Sequence, residues 1–256
     1  MRSNSAAEVK PRNCAVGAVQ SERSLTQTER DNLFYLLMSI ACAGGIFLGF
    51  SRTFYLKTYF GTPALPALFH FHGVVMTIWM MYFILQTALI ASNRPAVHRS
   101  LGVVGAVLAI LMCVLGTAMA FVADKMRHNA FPFAADPESA CLFSLMDIFM
   151  FGAFVWTGFH FRRKREVHQR LMLLATVVAL MPSGIGRWLS HVNPALIVPT
   201  IFAFVLAGPI YDLISRRTVH PAYRWGLLCF FFTRPPFLIL LAKVDAWHNF
   251  VKWVVS

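Results

Sequence analysis

Two short segments carry the residues best placed to do chemistry, Val97-His98-Arg99-Ser100-Leu101 and Val167-His168-Gln169-Arg170-Leu171, 70 residues apart. Each follows a basic loop and opens a long apolar run, and beyond them Val107 matches Val177 and Ala109 matches Ala179. The repeat predicts two copies of one unit: apolar helix, basic turn with a histidine, apolar helix. An imidazole can ligate a metal or carry a proton near neutral pH. On a helix the His98 face continues through Gly102, Gly105, Ala109, Cys113 and Gly116, and the His168 face through Met172, Ala175, Ala179, Ser183 and Gly186. Small residues let membrane helices approach closely, so both stripes predict helix–helix contact and both histidines are expected to point into a bundle.

A second set of polar residues, His72, Asp147, Arg187 and His191, falls in or beside apolar runs. His72 and His98 are 26 residues apart, which is about 39 Å of helix and more than the ~30 Å hydrocarbon core. The two histidines are therefore expected at opposite faces. The inner layer then holds His98, His168, Asp212 and His220, and the outer layer His70, His72, Asp147, Arg187 and His191. His70 and His72 do not share a helical face, so at most one, His72, points inward. Polar groups within a membrane are costly and turn toward the bundle interior. The outer set thus predicts a polar cavity of His72, Asp147, Arg187 and His191.

The elements that must hold these residues follow from composition. The chain is 57% hydrophobic and only 13% charged, against about 25% charged in soluble domains. The apolar residues lie in blocks long enough to span a bilayer, at 32–50, 67–92, 100–122, 141–161, 171–190, 196–215 and 225–242. The expected fold is an all-α polytopic membrane bundle of about seven transmembrane helices. Its four-helix core would be built from two repeated hairpins, about 67–122 and 141–190. Residues 1–31 are expected to be a disordered cytoplasmic tail, with no cleaved signal sequence. Residues 243–256 read as an amphipathic interfacial helix, with Trp247 and Trp253 at headgroup level. Pro182-Ser183-Gly184-Ile185-Gly186 is expected to loosen the end of the fifth helix.

Fifteen of the 23 Lys and Arg residues lie in the tail and in the loops near 92–100, 161–170 and 213–224. Basic residues stay cytoplasmic, so the N-terminus is expected inside and the C-terminus outside. The net charge of +12 is accounted for by topology and anionic lipid; the partner is the lipid bilayer and not nucleic acid. The five cysteines are scattered and form neither a disulfide framework nor a zinc motif. The chain also lacks a phosphate-binding glycine loop, HExxH, CxxCH and GxSxG, and it carries no appended soluble catalytic domain.

The stretches FHFHGVVMTIWMMYFILQTALI, VHRSLGVVGAVLAILMCVLG, VHQRLMLLATVVAL, HPAYRWG and DAWHNFVKWV resemble a bacterial group of uncharacterised multi-pass membrane proteins. The resemblance covers most of residues 32–253 and implies the bacterial inner membrane. More distantly, the HG and HR.LG-like helix openings resemble four-helix b-type cytochromes of the ferric-reductase kind. That likeness implies haem b held by His98 and His168, with membrane redox partners. The chain departs from the pattern where the facing fourth helix carries Asp147 instead of a second outer histidine, which leaves one haem and not two.

Three expectations follow. One is a non-enzymatic transport, proton-coupled or assembly protein with the outer polar cavity. The second is a haem b electron-transfer protein using His98 and His168. The third is a metal-dependent membrane hydrolase with His72, Asp147 and His191 as ligands.

Overall fold

The computed structural model describes residues 25–126, 136–233 and 244–255, and their regular structure is helical. The helices are α1 (Gln27–Phe50), α2 (Ala67–Ala91), α3 (Pro95–Lys125), α4 (Pro137–His160), α5 (Arg165–Ser190), α6 (Ile197–Arg216), α7 (Pro221–Phe232) and α8 (Asp245–Val255). A π turn, Ser51–Tyr55, extends α1, and a 3₁₀ turn, Pro194–Leu196, precedes α6.

The helix ends follow local chemistry. Thr26 caps α1 in a reciprocal capping box with Glu29, which satisfies two otherwise orphaned N–H groups. Asp136 caps α4 by accepting from the Ser139 N–H at 2.7 Å. Pro95, Pro137 and Pro221 open α3, α4 and α7, where a missing N–H costs nothing. Helix α6 stops at Arg217, in the left-handed region at φ 60°.

Six helical segments are long and apolar enough to cross a membrane: Gln27–Tyr55, Ala67–Ala91, Pro95–Lys125, Pro137–His160, Arg165–Ser190 and Pro194–Arg216. Among the described residues that is one fewer than the expected seven. The seventh expected span, 225–242, corresponds to α7, whose 12 residues cover only about 18 Å; residues 234–243 lie outside the described ones. The first span also begins earlier than expected. Residues 27–31, assigned to the tail by composition, are helical, and Asp31 is buried at 2% exposure. A salt-bridged carboxylate near the start of α1 hides in composition because its partner, Arg216, is far away in sequence.

The packing also departs from the expected four-helix core. Each helix of the series α1 to α5 packs on the next, and α5 returns onto α1, closing a ring of five. Helix α1 thus lies between α2 and α5. Helices α6 and α7 pack on the outside of α5, and α5 is the most deeply buried element. The α1–α5 contact is backbone on backbone: a Cβ built on Gly49 would sit 2.3 Å from the Gly184 carbonyl oxygen. The small-residue stripe of α3 makes helix contacts beyond Gly102, which nothing approaches within 4 Å. Gly105 faces the Tyr82 ring, Gly116 faces Ile148, and Gly152 faces the Cys113 sulfur. The opposite face of α3 carries exposed Val103, Val107, Ile110 and Val114, one helical stripe of the kind that faces lipid.

The α1 N-terminus and the α2–α3, α4–α5 and α6–α7 turns share one end of the bundle, the basic end. At the far end α8 packs on α3 and α4. The indole Nε1 of Trp247 donates to the Glu138 carbonyl at 2.8 Å, and His248 lies 3.7 Å from Asp136. Helix α5 runs through Pro182 to Ser190 as one helix, so the expected loosening there is absent.

Candidate functional site

Polar side chains gather at three places in the bundle. The first is the histidine pair. His98, at the start of α3, and His168, at the start of α5, meet with ring centroids 6.2 Å apart and planes at 76°. The His168 Nδ1 pairs with the Gly158 carbonyl of α4 at 2.8 Å. With Nδ1 so engaged, Nε2 is the nitrogen left for a ligand. The His98 Nδ1 is buried without a partner. Close by, Gln86 donates to the Tyr82 hydroxyl, which donates on to the Leu101 carbonyl at 2.8 Å.

The nitrogens of this pair meet the donor requirement of a bis-imidazole haem. Along the stripe beyond His98, the Tyr82 ring would lie 2.7 Å from a Cβ on Gly105, whereas nothing lies within 4 Å of one on Gly102.

The second place is the far half of the bundle. His72 of α2 is half-buried, whereas His70 is exposed against the Phe54 ring, as the helical spacing requires. The Arg187 guanidinium lies over the Phe50 ring, with Cζ 5.2 Å from the centroid. The Arg187 Nε and the His72 Nδ1 are buried and have no hydrogen-bond partner. Asp147 of α4 is buried at 5% exposure. His191 caps the C-terminus of α5 and is exposed. Of the four residues expected in one cavity, Asp147 is buried, His72 and Arg187 are half-buried, and His191 is exposed. Among the described residues no three of His, Cys, Asp or Glu converge as metal ligands. The ligand set His72, Asp147 and His191 needed by a hydrolase is not assembled.

The third place, at the basic end, was not anticipated as a unit. Arg170 and Asp212, both fully buried, form a bidentate pair with Nε–Oδ2 2.9 Å and Nη2–Oδ1 2.6 Å. Arg170 also pairs with the Glu166 carboxylate and its carbonyl. Arg216 bridges Asp31 at 2.5 Å and reaches Asp212 at 3.3 Å. The Tyr211 hydroxyl donates to Asp31 at 2.8 Å, and the His220 N–H donates to Asp212 at 3.2 Å. The Tyr35 and Tyr223 hydroxyls meet at 3.3 Å, with Arg170 over the Tyr223 ring. The network joins α1, α5, α6 and the start of α7. Its acids are paired with arginines, so it holds the helices in register. Two sequence signals pointed to it: Glu166–Arg170 and Asp212–Arg216 are each opposite charges at i,i+4 on apolar helices.

His220 gives this end a pH dependence. Burial, then the Arg170 charge, hold its imidazole below the usual 6.5, against the pull of Asp212 and Glu166. The neutral Nδ1 accepts from the Ala222 N–H at 3.1 Å and caps α7; protonation would remove that lone pair. The folded value lies below the unfolded one, so this stabilisation is present above pH 6.5 and is lost as pH falls through the folded value. Thermal unfolding in detergent from about pH 8 to about pH 5 is expected to show the loss. His220→Asn, whose amide oxygen caps without titrating, is expected to flatten it, and an unchanged profile would contradict the assignment.

Six long apolar helices, arranged as a ring of five with α6 outside, mark the chain as an integral, multi-pass helical membrane protein. No protein family, no curated protein and no solved structure matches the chain.

Proposed function

We propose that this is a non-enzymatic membrane protein of the transport or proton-coupled kind, working through a polar cavity in the far half of its five-helix ring. The observation that carries the reading is the pair of buried, unpartnered nitrogens, Arg187 Nε and His72 Nδ1. Buried polar groups are almost always hydrogen-bonded, to protein or to ordered water. Within a membrane such groups mark water-filled or ligand-filled paths. Asp147, buried in α4, is the acid on the same half.

The proposal places the protein in a bacterial inner membrane with its basic end cytoplasmic, supported by the 15 of 23 Lys and Arg residues in the tail and the three turns of that end. It also counts a seventh crossing. In support of it, helix α7 starts at the basic end beside Asp212 and α8 is anchored at the far end on Glu138.

Water access tests the reading. In a chain with its cysteines replaced by alanine, Ser183→Cys on α5, one turn before Arg187, is expected to react with a membrane-impermeant thiol reagent added from the far side. Its rate should exceed that of lipid-facing Val107→Cys by about tenfold or more, because a thiol in hydrocarbon does not ionise. Equal, slow rates would sink the cavity. The unmodified protein, grown with ample haem, is examined in the same work by visible absorption. A Soret band would replace this reading with haem ligation by His98 and His168.

A further inference from the structure

We infer that Arg187 and His72, beneath the ring of Phe50, form a binding site for an oxyanion, a phosphate or carboxylate group. The inference rests on the far-half cavity and names what that cavity takes.

Arg187 is three residues from the end of α5, about 33 Å along that helix from its start. No carboxylate lies within ion-pair distance of it among the described residues, whereas Arg170 and Arg216 at the other end are paired with acids. Its guanidinium is instead stacked on an aromatic face, 5.2 Å from the Phe50 centroid. Stacking stabilises the cation while leaving its in-plane N–H groups free. Those edge donors match the paired oxygens of a carboxylate or phosphate.

The second group is His72. Its Nδ1 is buried without a partner, in the same half of the bundle as Arg187. A cation and an imidazole with no acid between them form a positive, donor-rich spot in a low-dielectric setting. An oxyanion accepts from both and neutralises the arginine.

The backbone holds the site together. The contact of Gly49 with Gly184 presses α1 onto α5. Phe50 follows Gly49 directly, and Arg187 lies three residues beyond Gly184. The aromatic plate is therefore fixed by a helix crossing that tolerates no side chain.

The oxyanion could come from lipid headgroups at the far face or from solutes in the far-side water, and the experiment separates these sources. Purified full-length protein is titrated in detergent with inorganic phosphate and with acetate, against chloride at matched ionic strength, and binding is read by calorimetry. The lipid arm uses nanodiscs of phosphatidylglycerol or of phosphatidylcholine alone, with bound lipid counted by native mass spectrometry. At least one anion, soluble or lipid, is expected to bind wild type. Arg187→Gln should weaken that binding by about tenfold or more, since one bidentate charge-assisted pair is lost. Arg187→Lys should recover only part of it, because a point charge cannot reproduce the fork. Monodisperse elution and unchanged helical circular dichroism verify folding of the variants. Binding of neither probe class by wild type, or binding unchanged in Arg187→Gln, would overturn the site. The two proposals fail separately. Reactive Ser183→Cys without anion binding removes this inference alone. Arg187-dependent lipid binding with an unreactive Ser183→Cys leaves the site standing and removes the cavity.

Discussion

Replacing Arg170 with methionine is expected to destabilise the folded protein by about 3–5 kcal/mol, because it strands a buried carboxylate. Asp212 is 0% exposed and receives two hydrogen bonds from Arg170. In the variant it keeps only the His220 N–H and the more distant Arg216. Glu166 loses the same partner at little cost, since its side chain is 47% exposed and water can take over. Asp212→Leu alone should be comparably harmful, as it leaves Arg170 charged and buried. The double variant Arg170→Met/Asp212→Leu should recover most of the loss, since an apolar pair of similar volume often replaces a buried ion pair without penalty. Unfolding midpoints in detergent for the four proteins form a double-mutant cycle. Single variants as stable as wild type would show that the pair contributes nothing to holding α5 against α6.

The next largest effect is expected at Gly49. A Cβ there meets the Gly184 carbonyl oxygen, carbonyl carbon and Cα, all within 2.6 Å. Backbone cannot rotate aside as a side chain can, so α1 and α5 must part. Gly49→Ala is expected to cost about 1–3 kcal/mol, the range for overpacking a tight contact, and Gly49→Leu more. Gly44→Ala, where nothing lies within 4 Å, is the control; it should be neutral or slightly stabilising, since alanine is the better helix former. Moving α1 also shifts Phe50 from Arg187, so anion binding should weaken in Gly49→Ala and not in Gly44→Ala. Equal stabilities of the two alanine variants would mean the crossing is looser than the Gly49–Gly184 approach.

Periodicity of small residues correctly indicated helix contacts along α3 and α5. It could not say with which helix. The stripe of α3 turned out to face Tyr82 of α2 and Ile148 of α4, and α1 took the place beside α5 that the repeat reserved for α2. The repeat in sequence is real at the level of Val97–Leu101 and Val167–Leu171, yet its two halves occupy different surroundings: α3 presents one face to lipid while α5 is enclosed. Spacing alone cannot distinguish those cases when every neighbour, protein or lipid, is apolar.

The candidate residues divide in the same way. The alternation of charge and apolar length along the chain determined by itself that long apolar helices alternate with basic turns. It also determined that His98 and His168 share an end while His72 lies at the other, because helix rise converts residue number into depth. Which groups touch is decided by rotation and by which helices adjoin, and those depend on packing between segments distant in sequence. Arg216 finds Asp31 at 2.5 Å, and Arg187 finds the Phe50 ring. Only the tertiary structure could pair one arginine with an acid and leave another without one, since a helix pattern fixes depth along the membrane normal and says nothing of the partner across the gap.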